Sequence, residues 1–230
     1  MKNTVAFIFA RGGSKGLPRK NVLSFQGKPL LVHSIDTAKK LKEVRDIFVS
    51  TEDSEIANLA KRHGVNVINR PHDLAKDNSP ELLSWKHAVS YVQDRFSDFE
   101  KFLSLPTTAP LRTKADVEGC LALLDKKTDV VVTATESSRS PYFNMVKIER
   151  DGYASLLIED RQIYFRRQDV PKSYDLTTLA YVVKPDFILS TENLFSGRVK
   201  AFLVPKERSI DIDSRFDFVI AETIYKKGNK

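Results

Sequence analysis

The residues best suited to chemistry lie near the two ends of the chain. Phe9 to Asn21 reads FARGGSKGLPRKN, with three glycines, four basic side chains and no acid. Gly12, Gly13 and Gly16 let backbone amides approach an anion closely. Arg11, Lys15, Arg19 and Lys20 place positive charge beside it, and a triphosphate is the natural fit. Near the other end, Ile210-Asp211-Ile212-Asp213 has a period of two. In a strand both carboxylates would share one face, roughly 7 Å apart. Such a pair could hold Mg²⁺, directly or through water, against phosphate oxygens. Plainer readings exist for each: a solvated basic turn, Asp213 as the N-cap of a helix starting near Arg215, and Asp211 as an ion-pair partner.

Two standard phosphate motifs fail on the basic stretch. A Walker loop needs Gly-Lys at a fixed offset from its first glycine, and neither Gly12 nor Gly13 has it. A dinucleotide fingerprint needs Gly-x-Gly-x-x-Gly; Gly13 and Gly16 supply the last two positions but Arg11 occupies the first.

The elements that must position these residues alternate. Val5–Phe9 is a continuous apolar run, as expected of a strand buried on both faces. Pro29–Leu41 has helical spacing and Asp46–Ser50 is the next strand. Asp53 or Ser54 can cap a helix that Gly64 ends. Val65–Ile68, Lys101–Leu105 and Asp129–Thr133 read as strands; Pro80–Phe96 and Lys114–Leu124 read as helices. This order implies right-handed crossovers and a mostly parallel sheet. Ligands on such sheets sit beyond the strands' carboxyl ends, where Phe9–Asn21, Thr51–Asp53 and Pro106–Arg112 should gather. After residue 140 the pattern changes: Tyr142–Ile148, Tyr153–Ile158 and Ile163–Arg166 read as short strands with a turn at Asp151-Gly152. Leu179–Val183 and Ala201–Val204 return to the sheet, and a last helix runs from about Arg215 to Tyr225. The expectation is one domain, residues 1–230, carrying an inserted β-rich arm at 140–175.

The 230 residues, 41% of them apolar, suffice for a substantial core. The net charge of +7 admits polyanionic partners. The basic residues are dispersed apart from the loop and a short tail, and no zinc-finger, basic-zipper or RNA-binding signature appears, which argues against nucleic acid. No apolar run reaches the roughly 18 residues that span a bilayer. No secretory h-region follows Met1, and the lone Cys120 sits in an apolar helical pattern. The expected setting is the cytoplasm, with no membrane partner. The four histidines form no metal-binding pair.

Together these stretches resemble the CMP-nonulosonate synthetases, the acylneuraminate cytidylyltransferases. The matching segments are ARGGSKGLPRKN, VSTEDSEIANLAKRHGV, RPHDLAKDNSP, TAPLR and SIDIDSRFDF, in family order across nearly the whole chain. The resemblance implies a three-layer α/β Rossmannoid fold of the GT-A-like nucleotidyltransferase type, with the arm serving a homodimer. It implies Mg²⁺, with Mn²⁺ as a substitute, and transfer of CMP from CTP to a 2-keto sugar acid with release of pyrophosphate, in cell-surface polysaccharide biosynthesis. Carried over, Arg11, Lys15 and Lys20 match the triphosphate set, supported by Gly12 and Gly13. Asn21 matches the residue that meets cytosine, and Arg70 another nucleotide-side position. Asp211 and Asp213 match the metal carboxylates. Arg167 matches a basic position for the sugar carboxylate, with Arg166 as its alternative. Pro106, Asp175 and Thr177 fall on sugar-side positions where neuraminate-type members carry glutamine, arginine and asparagine. SPYFNMV with RRQDVPKSYD resembles the legionaminic-acid branch more than the neuraminate branch. The alternatives are an eight-carbon ketosugar acid as acceptor, or a non-catalytic nucleotide- or RNA-binding module.

Overall fold

A strand turns successive side chains to opposite faces, and both faces of β1 (Thr4–Phe9) are buried. Ala6 and Ile8 enter one apolar core, Val5 and Phe7 another. A run without polar residues is what such a strand needs. The computed structural model describes residues 3–160, 162 and 164–228. After β1 come the small hairpin β2 (Ser24–Phe25) and β3 (Lys28–Pro29), α1 (Leu30–Lys39), β4 (Val44–Thr51), α2 (Ser54–Arg62), β5 (Asn66–Asn69), α3 (Glu81–Arg95), β6 (Lys101–Ser104), α4 (Lys114–Leu123) and β7 (Val130–Glu136). Then follow β8 (Val146–Ile148), β9 (Ala154–Leu156), β10 (Tyr174–Val183), α5 (Pro185–Ser190), β11 (Val199–Leu203) and α6 (Arg215–Gly228).

The main sheet has seven strands in the order β11-β7-β10-β6-β1-β4-β5. β1 pairs in parallel with β4 and β6, β4 with β5, and β7 with β11. β10 runs antiparallel between β6 and β7. Leu31 and Ile35 of α1, Ile56 of α2 and Val117 and Cys120 of α4 cover one face. Trp85 and Val89 of α3 and Ile188 of α5 cover the other. The fold is therefore the expected three-layer, mostly parallel α/β arrangement. α6 lies on the β2–β3 hairpin, where Phe218 and Ala221 pack with Phe25, Leu30 and Ile212.

Local signals account for the boundaries. Asp53 accepts a bond from the Ile56 amide at 2.9 Å and caps α2. Gly64 closes that helix at φ +65, in the left-handed region. Thr113 and Asp116 exchange bonds in a capping box that starts α4. Burial pushes the Cys120 thiol up to about 12, as befits an inert core residue.

Three expectations are corrected. The arm forms two short strands, not three: β8 and β9 pair across a turn in which Gly152 has φ +90. Tyr164–Arg166 leads into a 3-10 turn, Arg167–Asp169, and Ile163 lies outside the described residues. Ile210–Asp213 joins no ladder. One backbone-to-backbone bond, Ile212 N to Thr108 O at 2.8 Å, pins it, and the buried Ile212 side chain anchors it. Asp213 does not cap α6, because Ser214 and Asp217 bond reciprocally and cap it themselves.

Candidate active site

The turn after β4, Thr51–Asp53, contacts the basic loop through Glu52 and Asp53 without reaching the lining of the site. The loops after β1 and β6 converge as expected, and the segment after β5 joins them. They border a crevice of about 360 Å³ lined by Phe9, Arg11, Lys20, Asn21, Arg70, Leu74, Lys76, Asp77, Ser79, Glu81, Ser84, Pro106, Thr107, Thr108, Thr178 and Tyr181. Strands directed at one sheet edge deliver these side chains from segments far apart in sequence.

The basic loop is held by carboxylates. Arg11 pairs with Asp77 at 2.6 Å and Lys15 pairs with the other oxygen of Asp77 at 2.8 Å. Lys20, only 12% exposed, reaches Asp213 at 2.7 Å. The Gly12 amide donates to Glu52 Oε1 at 2.7 Å, so that amide is turned to the β4–α2 turn instead of into the crevice. A Cβ on Gly12 would come within 2.6 Å of Asp53 Oδ2, and one on Gly16 would collide with the Asp213 carbonyl oxygen. These two glycines thus serve close approaches within the chain; Gly13 has open space around it. Arg19 does not join the cationic set. It adopts φ 57 and its guanidinium engages Asp53 and Glu55 at the start of α2.

Asn21 is buried and bonded at both ends of its amide. Its Nδ2 donates to Arg11 O at 2.8 Å, and its Oδ1 accepts from the Thr107 hydroxyl. The loop after β1 is thereby tied to the loop after β6. One amide hydrogen and one oxygen lone pair remain for a base. Arg70 is buried against Phe9, with its guanidinium carbon 5.6 Å from the ring centre. It donates to Ser50 O at 2.5 Å and to Ser50 Oγ at 3.2 Å. Burial lowers its pKa, and the nearby Glu52 and Glu81 work against that. Arg112 is a strut: its guanidinium serves Leu179 O, Ser34 Oγ and Pro106 O, and burial lowers its pKa to about 9.

Asp211 is half-buried beside Thr108 and Thr178, and its Oδ1 is buried with no hydrogen-bond partner among the described residues. Burial raises its pKa, Thr108 lowers it, and Asp213 adds to the rise. No group of three or more His, Cys, Asp or Glu side chains is arranged to hold a metal among the described residues. The fit to Mg²⁺ rests instead on two carboxylates, one with an orphaned oxygen. That donor set suits an ion that completes its shell with water and phosphate.

The sugar-side positions separate. Pro106 lines the crevice, and its carbonyl accepts from Ser34 and Arg112. Thr177 does not line the crevice; it pairs in register with Thr133 and its hydroxyl donates to the Thr133 hydroxyl at 2.7 Å within the sheet. Its neighbour Thr178 lines the crevice instead. Asp175 is exposed opposite Thr135 on β7. Arg166 pairs with Asp169 at 2.9 Å. Arg167 opens its 3-10 turn, and its side chain lies outside the described residues. A second cavity, of about 350 Å³, sits at the root of the arm between Arg139 and Lys172.

Several lining residues were not singled out from the sequence. Thr107 and Thr108 sit in the expected post-β6 loop, and Asp77 lies within RPHDLAKDNSP. Glu81 and Tyr181 carried no signal. Glu81 accepts from Trp85 Nε1 at 3.1 Å; desolvation of its carboxyl raises its pKa, and the Trp85 bond works against that.

A model of the cytidylyltransferase family matches residues 5–227, nearly the full chain. The chain belongs to the cytidylyltransferase family. This cytidylyltransferase is 31% identical to post-translational flagellin modification protein B of Campylobacter coli, over 100% of its own length and 97% of the relative's. It is 30% identical to the Campylobacter jejuni CMP-N,N'-diacetyllegionaminic acid synthase, with the same coverage. It is 29% identical to the Escherichia coli N-acylneuraminate cytidylyltransferase, covering 98% of this chain and 53% of that longer protein. Among solved structures, CMP:2-keto-3-deoxy-manno-octonic acid synthetase complexed with CTP superposes with a TM-score of 0.71 at 18% identity, covering 98% of this chain and 99% of that one. At that identity the likeness carries the fold alone. Among the described residues no helix is long and apolar enough to cross a membrane.

Proposed function

We propose that this cytidylyltransferase transfers CMP from CTP to the anomeric hydroxyl of a nonulosonic acid and releases pyrophosphate. The observation that carries the reading is the crevice itself. Arg11 and Lys20, with Lys15 close by, face a space that Asn21, Arg70 and Thr107 also line, at the edge where such sheets bind nucleotides. The relatives supply the acceptor class, since they are named for legionaminic, acylneuraminic and pseudaminic acids at 28–30% identity.

In this reading Arg11, Lys15 and Lys20 grip the triphosphate and offset charge on the departing pyrophosphate. Asn21 offers its remaining amide hydrogen and lone pair to cytosine, while its bonds to Arg11 O and Thr107 fix the loop. Arg70 stiffens the crevice wall and adds a desolvated positive charge. Asp211 and Asp213 would hold Mg²⁺, which would shield the phosphate oxygens against the attacking hydroxyl. Arg167 would grip the sugar carboxylate with a two-pronged hydrogen bond.

The reading includes a homodimer, which the arm's exposed apolar side chains support. Ile148, Tyr153 and Phe165 are 74%, 77% and 83% exposed, and Val146 and Leu157 stand beside them. Apolar exposure on this scale is normally covered by a partner.

A panel of acceptors with CTP and Mg²⁺, read by pyrophosphate release, tests the assignment. Diacetyllegionaminic, N-acetylneuraminic and pseudaminic acids should include the best substrate. Turnover confined to an eight-carbon ketosugar acid would overturn the nonulosonic assignment.

A further inference from the structure

Asp77 has no place in the reaction just described, yet it holds two of the cations that the triphosphate needs. One carboxylate oxygen lies 2.6 Å from Arg11 and the other lies 2.8 Å from Lys15. It hangs from the segment between the 3-10 turn His72–Ala75 and α3, and both Asp77 and its neighbour Lys76 line the crevice. The geometry is that of a bidentate anion bound by a guanidinium and an ammonium. A terminal phosphate would occupy the same arrangement. Arg11 and Lys15 are 66 and 62 residues away in sequence, so the pairing is made by the fold and not by local chain geometry.

We propose that Asp77 acts as an internal competitor of the nucleotide's polyphosphate end for Arg11 and Lys15, and so sets how tightly polyphosphate binds. This rests on the reading of the basic loop as a triphosphate site. Binding of CTP then exchanges one carboxylate for phosphate oxygens at Arg11 and Lys15. A triphosphate brings several charged oxygens and wins that exchange. A nucleoside monophosphate, lacking the β- and γ-phosphates, cannot reach both cations and leaves Asp77 seated. The carboxylate thereby weakens polyphosphate binding selectively and narrows the affinity gap between CTP and CMP. It also supplies a replacement anion when pyrophosphate departs, so the cations are not left unpaired. Its side chain is 44% exposed, which lets it swing out without emptying a core.

Competition and preorganisation make opposite predictions. If Asp77 competes, removing it tightens polyphosphate; if it merely holds Arg11 and Lys15 in place, removing it weakens polyphosphate. Exposed ion pairs are weak, so the expected effect is modest, about three- to tenfold. The experiment is calorimetric titration of the full chain with inorganic triphosphate, CTP and CMP, for wild type, Asp77→Asn and Asp77→Ala. Asp94→Asn, on the exposed far part of α3, controls for the change in net charge. Both Asp77 variants should bind triphosphate and CTP about three- to tenfold tighter, with CMP unchanged within about twofold and the control like wild type. Unchanged or weaker triphosphate binding in both variants, or equal tightening of CMP, overturns the proposal while leaving the cytidylyltransferase reading intact. Failure of wild type to bind either triphosphate or CTP would instead remove the phosphate reading of the loop, and this inference with it.

Discussion

The crevice and the arm are built on opposite principles. Around the crevice nearly every charged group has a partner from the same chain: Lys20 has Asp213, Arg11 and Lys15 have Asp77, Arg70 has Ser50. Asp211 and Glu52 each keep one oxygen buried and unpaired among the described residues. The arm keeps its polar turns in order but leaves Val146, Ile148, Tyr153 and Phe165 uncovered. Charge around the crevice is thus balanced within one chain, whereas the arm's apolar side chains are not covered by the described residues of their own chain. An uncovered apolar strand pair is a means of association.

The contrast breaks most sharply at Asp211. Replacing it with Ala should cut turnover more than about 100-fold while leaving the thermal transition cooperative. Near-normal Mg²⁺-dependent activity would show that the orphaned oxygen holds no metal.

Next is the brace behind it. Asp116, with a side chain 3% exposed, pairs with Arg208 at 2.7 Å and so fixes α4 to the segment leading to Asp211. Asp116→Ala should cost about 3 kcal/mol, lowering Tm by roughly 6–12 °C in calorimetry. Burial works to raise the Asp116 pKa, but Arg208 and the Thr113 bonds outweigh it and hold the carboxyl below 3.8. The folded state then binds fewer protons than the unfolded state, so this stability is present above pH 3.8 and lost as pH falls below it. Asp116→Asn should flatten that acid limb of the stability curve.

On the arm, Arg167→Ala should raise the sugar-acid KM by about 10- to 100-fold and leave CTP affinity unchanged, as loss of a charge-assisted pair predicts. A pure loss of CTP affinity would contradict its role. If the arm serves a neighbouring subunit's crevice, mixing Asp211→Ala with Arg167→Ala at low sugar acid should restore about a quarter of wild-type activity by random pairing in a two-fold dimer. No recovery after subunit exchange would place the arm on its own crevice. Ile148→Asp gives the smallest expected change. Monomer stability should stay within about 0.5 kcal/mol, while sedimentation should show a shift towards monomer.

The sheet was legible because a doubly buried strand has a distinctive apolar run, and Asp53 and Gly64 mark their helix ends through local bonds. The basic loop and the aspartate pair were legible as residue types, and Lys20 does meet Asp213. The roles of individual atoms were not. Thr177 and Thr178 are neighbours on opposite sides of β10, and only the pairing of Thr177 with Thr133 on β7 decides that Thr178 is the one at the crevice. The Gly12 amide looked free for phosphate because Glu52, 40 residues away, could not be placed opposite it. Arg19 matched Arg11 and Lys20 in charge, but its left-handed backbone sends it to α2. The arm's segments read as three strands, yet among the described residues one pair formed.

The central claim is that the crevice at the basic loop binds CTP for nucleotidyl transfer. Its most direct test is pyrophosphate release at a fixed saturating nonulosonic acid with CTP, UTP, ATP and GTP in turn. A crevice in which Asn21 and its neighbours read cytosine predicts turnover with CTP exceeding the others by about 100-fold or more. Comparable turnover with all four nucleotides, or none with CTP, would contradict it.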